Sequence, residues 1–209
     1  MTEFWETNFV EKQAMWGLEP AESAIIAKDI FIEKAKTRIL IPGIGYGRNA
    51  KVFTDNGMKV TGIEISNTAI DLARKYYGND MEIYHGSVTD MPFDKNKFEG
   101  VFCYALIHLL NSRERLKLIQ DCYKQLEING TMIFVAVSKK SPNYQMGKPL
   151  SKDRFEIMKG VKMFFYDEDS VIKEFGKFGL IKYKEIDEKM KNLQSKPAFT
   201  FWFIECIKK

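Results

Sequence analysis

Arg38-Ile-Leu-Ile-Pro42-Gly43-Ile-Gly45-Tyr46-Gly47-Arg48-Asn49 reads as an apolar strand running into a turn with three glycines. About twenty residues on, Val60-Thr-Gly-Ile-Glu64 reads as a second apolar strand, and this one ends in a carboxylate. Glycines at such a turn let the backbone approach a ligand closely. An acid at the end of the next strand accepts hydrogen bonds from ribose hydroxyls. The segment is therefore one nucleoside-binding half of an α/β sheet.

The chain around it alternates in the same way. Apolar runs predict strands near 38–42, 59–64, 81–85, 98–103 and 131–137, with helices near 47–56, 67–77 and 112–127. Alternation of this kind implies a parallel sheet covered by helices on both faces, with ligands at the carboxyl ends of its strands. Gly43, Glu64, Gly86 and Tyr104 fall at such ends. Helix 112–127 is expected to start from Asn111 or Ser112, to bury Leu116, Ile119, Tyr123 and Leu126, and to stop at Asn129-Gly130.

Two amphipathic helices are expected ahead of the sheet. The first lies within 2–15 and carries Phe4, Trp5, Phe9 and Met15; the second spans 20–35 and is opened by Pro20. Residues 138–165, with Pro142, Asn143, Gly147 and Pro149, break the alternation and read as an inserted lid or binding loop. Asp167 then caps a helix containing Val171, Ile172, Phe175 and Phe178, and strands near 180–187 and 199–207 close the chain. The organisation is one domain over 1–209. It has a helical cover at 1–35, a cofactor core at 36–137, a lid at 138–165 and a C-terminal helix with edge strands at 166–209.

Composition narrows the function. Lys and Arg number 32 against 28 Asp and Glu, a net charge of +4 spread along the chain, so no concentrated basic face marks a nucleic-acid partner. The three cysteines, Cys103, Cys122 and Cys206, are far apart and read as small core residues. With His85 and His108 the only histidines, no metal site is expected. No apolar run is long enough for a membrane span and the start lacks a signal-peptide pattern, so the expected compartment is the cytoplasm.

The turn itself discriminates between nucleosides. A dinucleotide fingerprint needs a third glycine where this chain has Arg48, and a phosphate loop needs a Gly-Lys-Ser/Thr ending that Gly47-Arg48-Asn49 does not supply. The spacing Gly43, Gly45, Gly47 instead resembles motif I of the class I S-adenosylmethionine-dependent methyltransferases. Other segments resemble the family in order. Tyr84-His-Gly86-Ser87-Val88-Thr-Asp90-Met-Pro92-Phe93 is similar to its third strand and adenine loop. Lys97-Phe98-Glu99-Gly-Val101-Phe-Cys-Tyr104-Ala-Leu-Ile-His108-Leu is similar to its fourth strand. Leu126-Glu-Ile-Asn-Gly130-Thr-Met-Ile-Phe-Val135 is similar to its Leu-Lys-Pro-Gly-Gly turn and fifth strand. The Pro42-Gly43 start resembles the thiopurine and halide branch, the Gly47-Arg48-Asn49 ending the tellurite-resistance branch, and the middle motifs the quinone-biosynthesis enzymes.

The resemblance implies a Rossmann-like fold: a seven-stranded, mostly parallel sheet with helices on both faces and an antiparallel last strand. It implies S-adenosylmethionine as cofactor, S-adenosylhomocysteine as product, and direct in-line methyl transfer to a small-molecule acceptor. Cofactor contacts are expected from Trp16, Gly43, Gly45, Tyr46, Glu64, Ile65, Ser87, Val88 and Tyr104. Tyr104 would serve through its backbone carbonyl, and Trp16 by covering the methionine moiety. The family's adenine-loop Asp falls at Ser87, so either Ser87 or Asp90 meets the adenine amine. Trp5, Phe9, His108 and Tyr144 are the candidates for the acceptor side. His108 is the one weak candidate for a catalytic base, and a structural histidine is the plainer reading. The assembly expected is a monomer or homodimer. The alternatives are a nicotinamide-dependent oxidoreductase, against which Arg48 counts, and a non-catalytic cofactor-binding scaffold.

Overall fold

The computed structural model of the chain describes residues 2–93, 97–188 and 198–209. Two helices lead, α1 (Thr2–Lys12) and α2 (Glu22–Glu33). The sheet is then laid down as β1 (Arg38–Pro42), β2 (Lys59–Glu64), β3 (Met81–His85), β4 (Phe98–Tyr104) and β5 (Leu126–Val137). The helices α3 (Lys51–Thr54), α4 (Asn67–Tyr77) and α5 (Ser112–Gln125) lie between them. Strands β6 (Lys148–Ser151), β7 (Arg154–Met158) and β8 (Val161–Phe164) follow, then α6 (Glu168–Phe175), β9 (Leu180–Glu188) and β10 (Phe199–Ile207).

The main sheet has seven strands in the order β3-β2-β1-β4-β5-β10-β9. β1 to β5 are parallel, and β10 runs antiparallel to both neighbours. This is the expected architecture. Both faces are buried, so β1 and β5 read as continuous apolar runs: Ile39 and Phe102 face α2 and α3, while Leu40, Val101 and Phe134 face α5 and α6.

Three expectations change. The helix after the glycine turn is a single turn, Lys51–Thr54, because Gly47 takes φ +85° and the chain turns irregularly before the helix starts. Helix α5 ends at Gln125 rather than at Asn129-Gly130 and passes directly into β5. Asn129, at φ 64°, instead serves an irregularity where β5 carries extra residues opposite β4. The buried stripe of α5 is Arg115, Leu118, Ile119 and Cys122, while Leu116 is exposed. The stripe is displaced because Arg115 takes a core position: its guanidinium forks onto Glu174 at 2.7–3.1 Å and lies 3.9 Å from the Phe164 ring centroid.

The 138–165 insertion is not an irregular loop. It holds the three-stranded antiparallel sheet β6-β7-β8. Its two ends are neighbours: Ser138 and Tyr166 form a bridge, and Lys139 pairs with Asp153 and Asp167. The Lys139 ammonium helps hold the Asp167 carboxyl down to about 2, against the opposing effect of burial.

Candidate cofactor site

The glycine turn places Gly43, Gly45 and Gly47 at φ +67°, +58° and +85°, the left-handed region that glycine enters at no steric cost. A Cβ at Gly43 would meet the Leu106 methyl groups at 2.9 Å, which adds to the strain of its left-handed φ. At Gly45 the added atom would meet only Phe9, at 4.0 Å. Gly45 thus leaves a side-chain-free face beneath α1.

Glu64 ends β2 beside this face and is 6 % exposed. Its Oε2 accepts from the Gly45 N–H at 2.8 Å, and its Oε1 from the N–H groups of Ile65 and Ser66 at 2.8 and 3.0 Å. Burial pushes the carboxyl above its ordinary value, and the three N–H donors oppose that shift. A carboxylate offers about four acceptor positions, so one position on Oε2 remains for an outside donor. Ile65 contributes its main chain to this arrangement. Ser66 caps α4 by accepting from the Ala69 N–H at 3.0 Å.

The aromatic residues gather above the turn. Trp16 stacks on Tyr46 at 6.2 Å and 7°, and Phe9 packs edge-on against both. Trp5 lies 6.1–6.3 Å from Phe9 and Trp16. The Tyr46 hydroxyl donates to the Gly17 carbonyl at 2.7 Å, so this side chain ties the Trp16 segment to the glycine turn. Arg48 does the same, donating to the Glu19 carbonyl at 3.0 Å with its guanidinium over the Tyr104 ring. Tyr104 donates its phenol proton to Glu188 at 2.6 Å, and Glu188 also accepts from the Ser23 N–H at the start of α2.

The residues expected in the adenine loop follow β3. Ser87 closes a local turn with Thr89, Val88 is buried, and Asp90 is exposed. Tyr144 sits in the insertion, donating to Asp153 at 2.8 Å and packing against Phe155 and Phe165. At the end of the insertion, Phe165 is fully buried and Phe164 lies on Arg115, so both pack into the body of the protein.

His108 sits in the interior, as a structural histidine does. It is 4 % exposed in a 3-10 turn, Ile107–Leu109, and its Nδ1 accepts from the Val137 N–H at 3.3 Å. Burial drives its pKa down to about 3, which leaves no useful basicity near neutrality. The sign for stability follows. The folded ring stays neutral while the unfolded ring takes a proton below about 6.5, so stability falls as pH falls from there toward 3. Between pH 7 and 5 the His108 contribution to this loss is about 2 kcal/mol. Urea denaturation of a His108→Gln variant is expected to show a pH dependence flatter by that amount. An unchanged slope would mean that the ring is not neutral in the fold.

Glu6 and Glu188 were not among the residues expected from sequence. Each meets its partners across long separations, Glu6 to Ser66 over 60 residues and Glu188 to Ser23 over 165. No local pattern encodes such pairs. An open groove of about 580 Å³ lies at the opposite, amino end of the strands, but Arg38 in its wall is already paired with Glu127 and the site residues are remote from it. Among the described residues, no group of three or more His, Cys, Asp or Glu is arranged to hold a metal.

Residues 40–134 match the family model of the methyltransferase domain. The matched segment holds the glycine turn, Glu64 and Tyr104. The methyltransferase fold extends beyond the matched segment. The Burkholderia thailandensis 1,6-didemethyltoxoflavin-N1-methyltransferase, solved with 1,6-didemethyltoxoflavin and S-adenosylhomocysteine, superposes with a TM-score of 0.75 at 11 % identity, covering 100 % of this chain and 87 % of its own. The CcbJ methyltransferase of Streptomyces caelestis gives 0.72 at 15 % identity over 98 % of each chain. TehB of Haemophilus influenzae gives 0.69 at 14 %, over 98 % of this chain and 67 % of TehB. Among curated proteins, none matches the sequence. The family match favours the methyltransferase over the nicotinamide alternative, in agreement with Arg48 at the third glycine position. No helix among the described residues is long and apolar enough to cross a membrane.

Proposed function

We propose that this protein is an S-adenosylmethionine-dependent methyltransferase that acts on a small organic acceptor and binds its cofactor along the glycine turn, with Glu64 receiving the ribose. The observation that carries the reading is the Glu64 carboxylate, held by three backbone N–H groups with one acceptor position left beside Gly45. S-adenosylmethionine brings a methyl group that is already activated by its sulfonium. The chain then has to align the acceptor and exclude water. Ser87, Val88 and Asp90 flank the adenine in this reading, and the Tyr104 main chain meets the ammonium group, its phenol being committed to Glu188.

The acceptor side is bounded by Trp5, Phe9, Tyr144 and the small sheet of the insertion. A small acceptor is supported by the closeness of these covers: a Cβ on Gly160, at the β7–β8 turn, would lie 3.1 Å from Phe4 of α1. Toxoflavin-type substrates in the Burkholderia enzyme set a precedent for small molecules on this fold. His108, neutral and buried, contributes to packing rather than to proton transfer.

Isothermal titration calorimetry with S-adenosylmethionine, S-adenosylhomocysteine and NAD is the test. Saturable binding of the first two and none of NAD is expected. Binding of NAD alone would overturn the reading. Formation of S-adenosylhomocysteine with a panel of phenols, amines and thiols then identifies the acceptor.

A further inference from the structure

We propose that Glu6 is the latch of a gate, and that α1 must be released from α4 before the cofactor can enter or leave. The inference rests on the cofactor site proposed above but concerns how that site opens. Glu6 reaches from the middle of α1 to the start of α4. Its Oε2 accepts from the Ser66 hydroxyl at 2.6 Å and from the Thr68 N–H at 3.4 Å, and its Oε1 accepts from the Thr68 hydroxyl. These donors follow Glu64 directly in sequence. The latch therefore closes over the same strand-to-helix turn that offers the ribose acceptor.

The position suits an anion. The first N–H groups of a helix lack intrahelical partners and carry partial positive charge. Ser66 already caps α4 at Ala69, and Glu6 takes the Ser66 hydroxyl proton and the Thr68 N–H that remain. The Ser66 hydroxyl, followed by that of Thr68, draws the Glu6 carboxyl below its ordinary value. Charge-assisted hydrogen bonds are about twice as strong as neutral ones.

What the latch holds down is the cover itself. Phe9, one turn beyond Glu6, is 3 % exposed and lies over the Gly45 face. At the other end of α1, Phe4 meets the Gly160 turn of the insertion. With Glu6 engaged, Phe9 of α1 lies against Gly45 and Tyr46, and the neighbouring Glu64 is nearly sealed from solvent. Entry of a nucleoside to Oε2 of Glu64 then requires this helix to move. The aromatic contacts give the cover its area, and Glu6 gives it a point of release that can break without unfolding the sheet.

Two measurements on Glu6→Ala test this. In the free protein, hydrogen exchange of the amides of residues 5–12 is expected to rise about tenfold or more, the loss of one charged hydrogen-bonded group. Exchange in β1, β4 and β5 is expected to stay unchanged, which excludes general unfolding. In stopped-flow experiments, S-adenosylhomocysteine is expected to dissociate about tenfold faster from the variant, and Glu6→Gln, which retains one acceptor, is expected to fall between. Unchanged exchange in α1 together with an unchanged dissociation rate would overturn the latch. Wild-type protein that fails to bind S-adenosylhomocysteine would refute the cofactor site instead, while the exchange result would still report on Glu6.

Discussion

Glu64→Ala is expected to weaken S-adenosylmethionine binding about tenfold to a hundredfold, as read by calorimetry. Removal of a charged acceptor from a hydrogen bond costs about 1.5–3 kcal/mol, and each 1.4 kcal/mol is a factor of ten. The structure adds a second reason. Glu64 also fixes Gly45, Ile65 and Ser66 through their N–H groups, so the variant loses the ribose acceptor and the order of the turn together. Glu64→Gln separates the two effects. Its amide keeps the size of the side chain but turns an N–H toward donors already present, so affinity is expected to fall almost as far with less loss of stability. Binding at wild-type strength in both variants would remove Glu64 from the site.

The largest expected loss of stability lies far from that site. Glu174→Ala takes the carboxylate from Arg115, whose side chain is 5 % exposed, and takes the acceptor from the Tyr166 hydroxyl. Arg115 would keep the Leu110 carbonyl at 3.3 Å and the faces of Phe164 and Tyr166. Breaking a buried ion pair from one side costs about 3–5 kcal/mol, because the other charge stays buried without its partner. For a domain of this size that corresponds to a fall of roughly 6–20 °C in melting temperature. Thermal melts followed by circular dichroism check it. A double variant, Arg115→Met with Glu174→Leu, is expected to recover most of the loss by replacing the pair with apolar packing. A fall of less than about 2 °C in Glu174→Ala would mean that the guanidinium is solvated after all.

These two sites differ in how far the sequence exposes them. Glu64 is legible because its meaning is local: an apolar strand, a turn, a glycine-rich partner strand at a fixed interval. The strands β1, β2 and β3 were bounded correctly for the same reason, since each is a short apolar run with a turn residue or an acid at its end. Arg115 is hidden because it breaks the periodicity that finds helix faces. A cation at a core position pushes the assigned stripe onto Leu116, which is exposed. The small sheet was missed because Lys148-Pro-Leu-Ser151 is polar, contains a proline and is exposed along its whole length, the pattern of an edge strand rather than a core one. Glu6 was beyond reach on different grounds. Its partners are chosen by the packing of α1 on α4, and a single sequence gives no sign of which helix a surface acid will meet.

The bridge between Ser138 and Tyr166 has a consequence for how such a protein can change. The inserted segment leaves and rejoins the main chain at adjacent points, clamped there by Lys139 between Asp153 and Asp167. Its length is therefore nearly independent of the path of the sheet, because lengthening a loop whose ends are already together adds little closure entropy. Strand β6 is exposed along its whole length, whereas Val161, Met163 and Phe165 are buried in the core, so the segment can lengthen at its β6–β7 end while its β8 end stays fixed to the sheet.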